Sequence, residues 1–104
     1  MINTNINNSH IRIENLYKSI FAQIDNMTID LQNDYVEIKH KDNSNADAAS
    51  LELMKKNCIY IVRYWDGYSL AEVIEAQDLN KALKNFKRLA KKMARNLMKY
   101  SSHL

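Results

Sequence analysis

The sequence predicts a single α+β domain. It has an antiparallel sheet of four strands, or five if residues 50–57 are extended, flanked by an N-terminal helix and a long basic C-terminal helix. Three observations carry this. Apolar residues recur at three- and four-residue spacing near both ends of the chain. Between those ends they alternate with polar residues, which is the period of a half-buried strand. A length of 104 residues, 46% of them hydrophobic and 26% charged, suits one folded core.

Residues 1–8 are polar and rich in Asn and read as a loose tail, leaving 9–104 as the domain. From Ser9 the residues Ile13, Leu16, Tyr17, Ile20, Phe21 and Ile24 form one helical stripe, capped by Asn8 or Ser9 and ending near Asn26. Met27, Ile29 and Leu31 then alternate with Thr28, Asp30 and Gln32. After Asn33-Asp34, Val36, Ile38 and His40 alternate with Glu37, Lys39 and Lys41. A two-residue turn at 33–34 pairs Leu31 with Val36 and Ile29 with Ile38, which gathers the apolar set on one face. Residues 42–49 read as a loop, and 50–57 fit either a short strand or a short helix.

Residues 58–65, rich in β-branched and aromatic side chains, form the strongest strand. Asp66-Gly67 is a favoured hairpin dipeptide, with a return strand from Tyr68 to about Ala76. Ser69 and Glu72 also fit a capping box that would start a helix at Leu70. The strand is the better reading, because the chain's one glycine sits between two aromatic-flanked runs. From an N-cap at Asp78, a last helix runs to about Tyr100. Leu79, Ala82, Leu83, Phe86, Leu89, Ala90, Met93, Ala94 and Leu97 fill an arc of roughly 140°. Some of these positions also fit a heptad, but the sheet needs the same residues as its cover. Any homodimer is therefore expected elsewhere, for instance by strand-edge pairing, and the chain reads as monomer or homodimer.

Composition excludes several functions. With one glycine, Gly67, and no proline, the chain holds no P-loop, dinucleotide fingerprint or nucleophile elbow. One cysteine, Cys58, permits no internal disulfide, and no signal peptide or apolar membrane span is visible, so a cytoplasmic location is expected. The bias to Asn, Lys and Ile favours AT-rich codons, as in many bacteria and phages or other mobile elements.

The charge is lopsided. Lys81, Lys84, Lys87, Arg88, Lys91, Lys92, Arg95 and Lys99 lie in the last 26 residues with no acidic residue among them. The net +3 is thus +8 from this segment and −5 from the rest. On a helical wheel the cations oppose the apolar arc and form a strip about 30 Å long. The eight cations lack the Glu at i,i+4 that normally supports such a face. The strip therefore reads as a surface for nucleic acid, a nucleoprotein complex or an acidic partner, through Lys84, Lys87, Arg88, Lys91, Lys92 and Arg95.

A second candidate interface is Arg63, Trp65 and Tyr68 near the second hairpin turn, with Tyr60 and Tyr64 expected in the core. Catalysis has little support. His10, His40 and His103 lie far apart in sequence, without metal-ligand spacing to Cys58 or to carboxylates. His40 is expected at the inward edge of its strand, and Cys58 buried at a strand start. Asp30 and Glu37 should be cross-strand neighbours on the outward face. No cofactor, metal, catalytic residue or small-molecule substrate is expected.

The element order and lysine-rich last helix resemble a double-stranded-RNA-binding domain. That family's glycine-containing loops and Gly-Pro turn are missing, and the strand count is one too many. In size and composition the chain also resembles phage inhibitor proteins, including anti-CRISPRs, without a shared motif. The reading is a small regulator binding nucleic acid. The alternative is a protein-blocking inhibitor, such as an anti-defence factor or toxin antidote, that uses its acidic hairpins or aromatic hairpin tip.

Overall fold

A computed structural model describes residues 6–41 and 48–101. Apolar alternation in the middle of the chain produces a five-stranded antiparallel meander in sequential order. The strands are β1 (Met27–Gln32), β2 (Tyr35–His40), β3 (Ser50–Lys56), β4 (Ile59–Trp65) and β5 (Leu70–Ala76). Two helices, α1 (His10–Ile20) and α2 (Leu79–Ser101), pack against one sheet face, and α2 lies on β3, β4 and β5.

The first hairpin has the expected register, with Leu31 opposite Val36, Ile29 opposite Ile38 and Asp30 opposite Glu37. The ambiguous segment is strand β3. It joins β4 through a tight turn at Asn57-Cys58, between the paired residues Lys56 and Ile59. Asn57 supplies the left-handed backbone there, with φ of 60°, which Asn tolerates better than most side chains. Cys58 thereby leaves the strand and is exposed, correcting its expected burial.

The second hairpin departs from the expected two-residue turn. Residues 66–69 form a longer loop held by the Asp66 carboxylate. Its Oδ1 accepts the backbone N–H groups of Tyr68 (2.8 Å) and Ser69 (2.9 Å), and the Asp66 N–H donates to the Ser69 carbonyl (3.1 Å). These backbone donors hold the Asp66 carboxyl below the usual range. Gly67 takes φ of 103°, a region that favours glycine. An irregularity at Tyr64/Trp65 follows, so Tyr64 pairs with Glu72 and Trp65 with Leu70. A two-residue turn would have paired Tyr64 with Ser69. The three-residue offset is odd, so from Glu72 onward it turns the β5 side chains to the opposite face.

The core has two layers. Val36, Ile38, Leu51, Leu53, Tyr60, Val62 and Tyr64 face inward from the sheet, and Ala82, Leu83, Phe86, Leu89, Ala90, Met93 and Ala94 cover them from α2. The expected apolar arc of α2 thus packs on its own sheet. Asp78 caps α2 by accepting the Asn80 N–H on Oδ1 (2.8 Å). On the other side α1 contributes Ile13, with Leu16, Tyr17 and Ile20 partly buried. This helix ends at Ile20, earlier than the stripe suggested. The chain then turns through buried Phe21 and reaches β1 by way of Asn26, whose φ is 64°. Residues 6–8, read from sequence as tail, begin a short 3-10 turn whose Ile6 is fully buried. Most of the expected 42–49 loop, and His103, lie outside the described residues.

Candidate functional site

Helix α2 turns its basic arc away from the sheet because the opposite arc is committed to the core. Lys81, Lys84, Lys87, Lys91 and Arg95 are all exposed. Among the described residues none of these five has an ion-pair partner. From Lys81 to Arg95 they run about 21 Å along the helix and occupy an arc of about 120°.

Two of the expected contact residues are engaged within the fold. Arg88 donates from Nη2 to Glu72 Oε2 (2.8 Å), and Lys92 donates from Nζ to Glu72 Oε1 (3.1 Å). Glu72 faces α2 because of the β5 offset, in the inward row that continues from Tyr64. Hydrogen bonds from Arg88 and then Lys92 hold its carboxyl far below the usual range, at about 2, and the same contact raises the Arg88 guanidinium. Beside this clamp, Asn96 Nδ2 donates to the Tyr64 hydroxyl (3.0 Å). A polar seam thus fastens α2 along the β5 side of the sheet, while the outer line of cations stays exposed. Sequence reading missed Glu72 as an anchor. Its signal, an acidic residue on the strand that precedes a helix lacking anions, is legible only with the β5 register in hand.

The other sheet face carries no helix among the described residues. Registration across the strands lines up Asp30, Glu37, Glu52 and Arg63 in one row. Arg63 Nη2 pairs with Glu52 Oε1 (3.1 Å), and the Tyr35 hydroxyl donates to Glu52 Oε2 (2.7 Å). Partial burial, and then the Glu52 carboxylate, raise the Tyr35 phenol. Arg63 and Trp65 share a shallow hollow of roughly 420 Å³ with Lys39, Ala48, Ser50, Glu52 and Leu70. Tyr68 is not part of it; it projects from the 66–69 loop. Tyr60 and Tyr64 are buried, as expected. The structure therefore separates the two sequence-predicted sites onto opposite faces of a two-layer fold.

His10 and His40 belong to different elements. His10 Nε2 lies 2.8 Å from the Gln32 carbonyl, and His40 ends β2 on its inward side. Among the described residues no three His, Cys, Asp or Glu side chains gather in a metal-binding group, and no helix is long and apolar enough to cross a membrane. Comparison with known proteins finds no matching family model, no matching curated protein and no matching solved structure.

Proposed function

We propose that this is a non-catalytic binding protein whose α2 docks on the phosphate backbone of nucleic acid. The observation that carries the reading is the row Lys81, Lys84, Lys87, Lys91 and Arg95, exposed and without an anionic partner among the described residues. Lysine is a compact point charge on a flexible stem, suited to phosphate contact rather than base readout. With α1 beside it and the sheet beneath, α2 offers only its outer half, so backbone contact outweighs groove insertion. Arg88 and Lys92 border the row but share their charge with Glu72.

A fluorescence titration with mixed-sequence duplex DNA or RNA tests this. Five phosphate contacts on duplex DNA would give a slope of log K against log salt of about −4.5. No binding at about 50 mM salt would sink the proposal, since screening is then weak.

A second reading, a protein-blocking inhibitor, draws on the opposite face. The carboxylate row Asp30, Glu37 and Glu52 and the 79% exposed Tyr68 suit a basic protein surface. Retention of activity after the α2 cations are removed would favour it over the first reading.

A further inference from the structure

We propose that the hollow on the outer sheet face binds one unpaired nucleotide of a single-stranded nucleic acid, with its base against Trp65 and its phosphodiester between Lys39 and Arg63. The strand register builds this site. Ser50 lies opposite both Lys39 and Trp65, and Glu52 lies opposite Arg63. Leu70, 53% exposed and paired with Trp65, extends the apolar side. A small serine between two long side chains leaves the hollow of roughly 420 Å³, near the lower end of the about 300–1,000 Å³ that ligand sites occupy. One side of it is thus an indole with a leucine, and the other, across Ser50, is the Lys39 ammonium.

The charged groups suit an anion, and one of single charge. Both oxygens of Glu52 are engaged, Oε2 by the Tyr35 hydroxyl and Oε1 by Arg63 Nη2. Glu52 therefore holds the Arg63 guanidinium by one nitrogen and leaves its other donors for a ligand. Lys39 is exposed and has no ion-pair partner among the described residues. Two cations, Lys39 and Arg63, against the one carboxylate of Glu52 give the lining a net charge of +1. A phosphodiester within a strand carries one negative charge, whereas a terminal phosphate carries more at neutral pH. Lys39 and Trp65 stand two strands apart, about 10 Å between backbones, which leaves room for a ring on the indole and a phosphodiester beside it. Stacking on an aromatic side chain accepts any base, but the base must be splayed out of a helix to reach it. The site lies on the sheet face opposite α2, so this inference does not rest on the α2 reading.

Trp65 is the chain's one tryptophan, so its fluorescence reads the hollow directly. The probe is the dinucleotide ApA, two adenosines joined by one phosphodiester. Titrated into the wild-type chain, it should quench Trp65 saturably with a Kd of about 1 mM, as one stack and two exposed charge contacts allow. Lys39→Gln, at an exposed position, should weaken binding about tenfold, and adenosine, which lacks the charge, should bind at least as weakly to wild type. The adenosine comparison needs no variant, so it decides the matter even if Lys39→Gln does not fold. The chain with Lys84, Lys87, Lys91 and Arg95 changed to Gln should bind ApA as wild type does, even where duplex binding is lost. No saturable change at Trp65, ApA binding unaltered in folded Lys39→Gln, adenosine binding as tight as that of ApA, or loss of ApA binding in the folded α2 variant would overturn the proposal.

Discussion

Glu72→Gln should weaken the fold and strengthen nucleic-acid binding at the same time. Glutamine keeps the size of the side chain and loses the charge that holds Arg88 and Lys92. The Glu72 carboxyl titrates at about 2 in the fold against an ordinary 4.5. Transferred whole into stability, that difference is roughly 3 kcal/mol. The clamp is partly exposed, at 28% for Glu72 and 50% and 40% for its partners, so solvent screening reduces the Glu72 contribution to about 1 kcal/mol. For a domain of this size that lowers Tm by about 4–8 °C. The sign with pH follows from the lowered carboxyl. Its contribution is complete above about 4.5 and disappears as the pH falls toward 2. Urea denaturation of both proteins across that window should show the gap closing as the acid end is approached. Meanwhile two released cations should steepen the salt slope by up to about 2. A variant as stable as wild type at pH 7, or one that binds nucleic acid less tightly while folded, would refute the clamp.

Two further outcomes test the packing and the turns. Phe86 is fully buried between α2 and the sheet, so Phe86→Ala should cost about 3–5 kcal/mol and unfold much of a domain of ordinary stability, as read by thermal melting. Cys58 is exposed in the β3–β4 turn, so a thiol reagent should label the native protein at the rate of a small exposed thiol without lowering its melting temperature; protection until unfolding would contradict the turn.

The readable parts of this fold were those governed by local periodicity. The first hairpin follows from its pattern, because the two-residue turn at 33–34 and the alternation agree in placing Ile29, Leu31, Val36 and Ile38 on one face. The apolar arc of α2 is equally local. The second hairpin failed for a different reason. Asp66-Gly67 satisfies the rule for a two-residue turn, yet the Asp66 carboxylate captures two later N–H groups and lengthens the loop. That side chain displaces the start of β5 by two residues, an even shift, and the irregularity at Tyr64/Trp65 adds the one more that turns Glu72 toward α2 and Val73 toward solvent. The candidate site inherits the same limit. The exposed cations were visible in the charge count, whereas the division between paired Arg88 and Lys92 and their unpaired neighbours depends on a long-range contact. Cys58 shows the bias of propensity alone: it abuts a β-branched run, but Asn57 bends the chain one residue before that run begins.

The central claim rests on the row of five exposed cations on α2, and removing four of them while Lys81 stays tests it most directly. Lys84, Lys87, Lys91 and Arg95, all changed to Gln, retain helix propensity and leave the core and the Glu72 clamp untouched, so circular dichroism and the melting temperature should stay near wild type. Affinity for mixed-sequence duplex at about 50 mM salt should fall by several tenfold steps, and the salt slope should flatten toward −1 as the four phosphate contacts are removed. A folded quadruple variant that binds with the wild-type affinity and the wild-type slope would contradict the account.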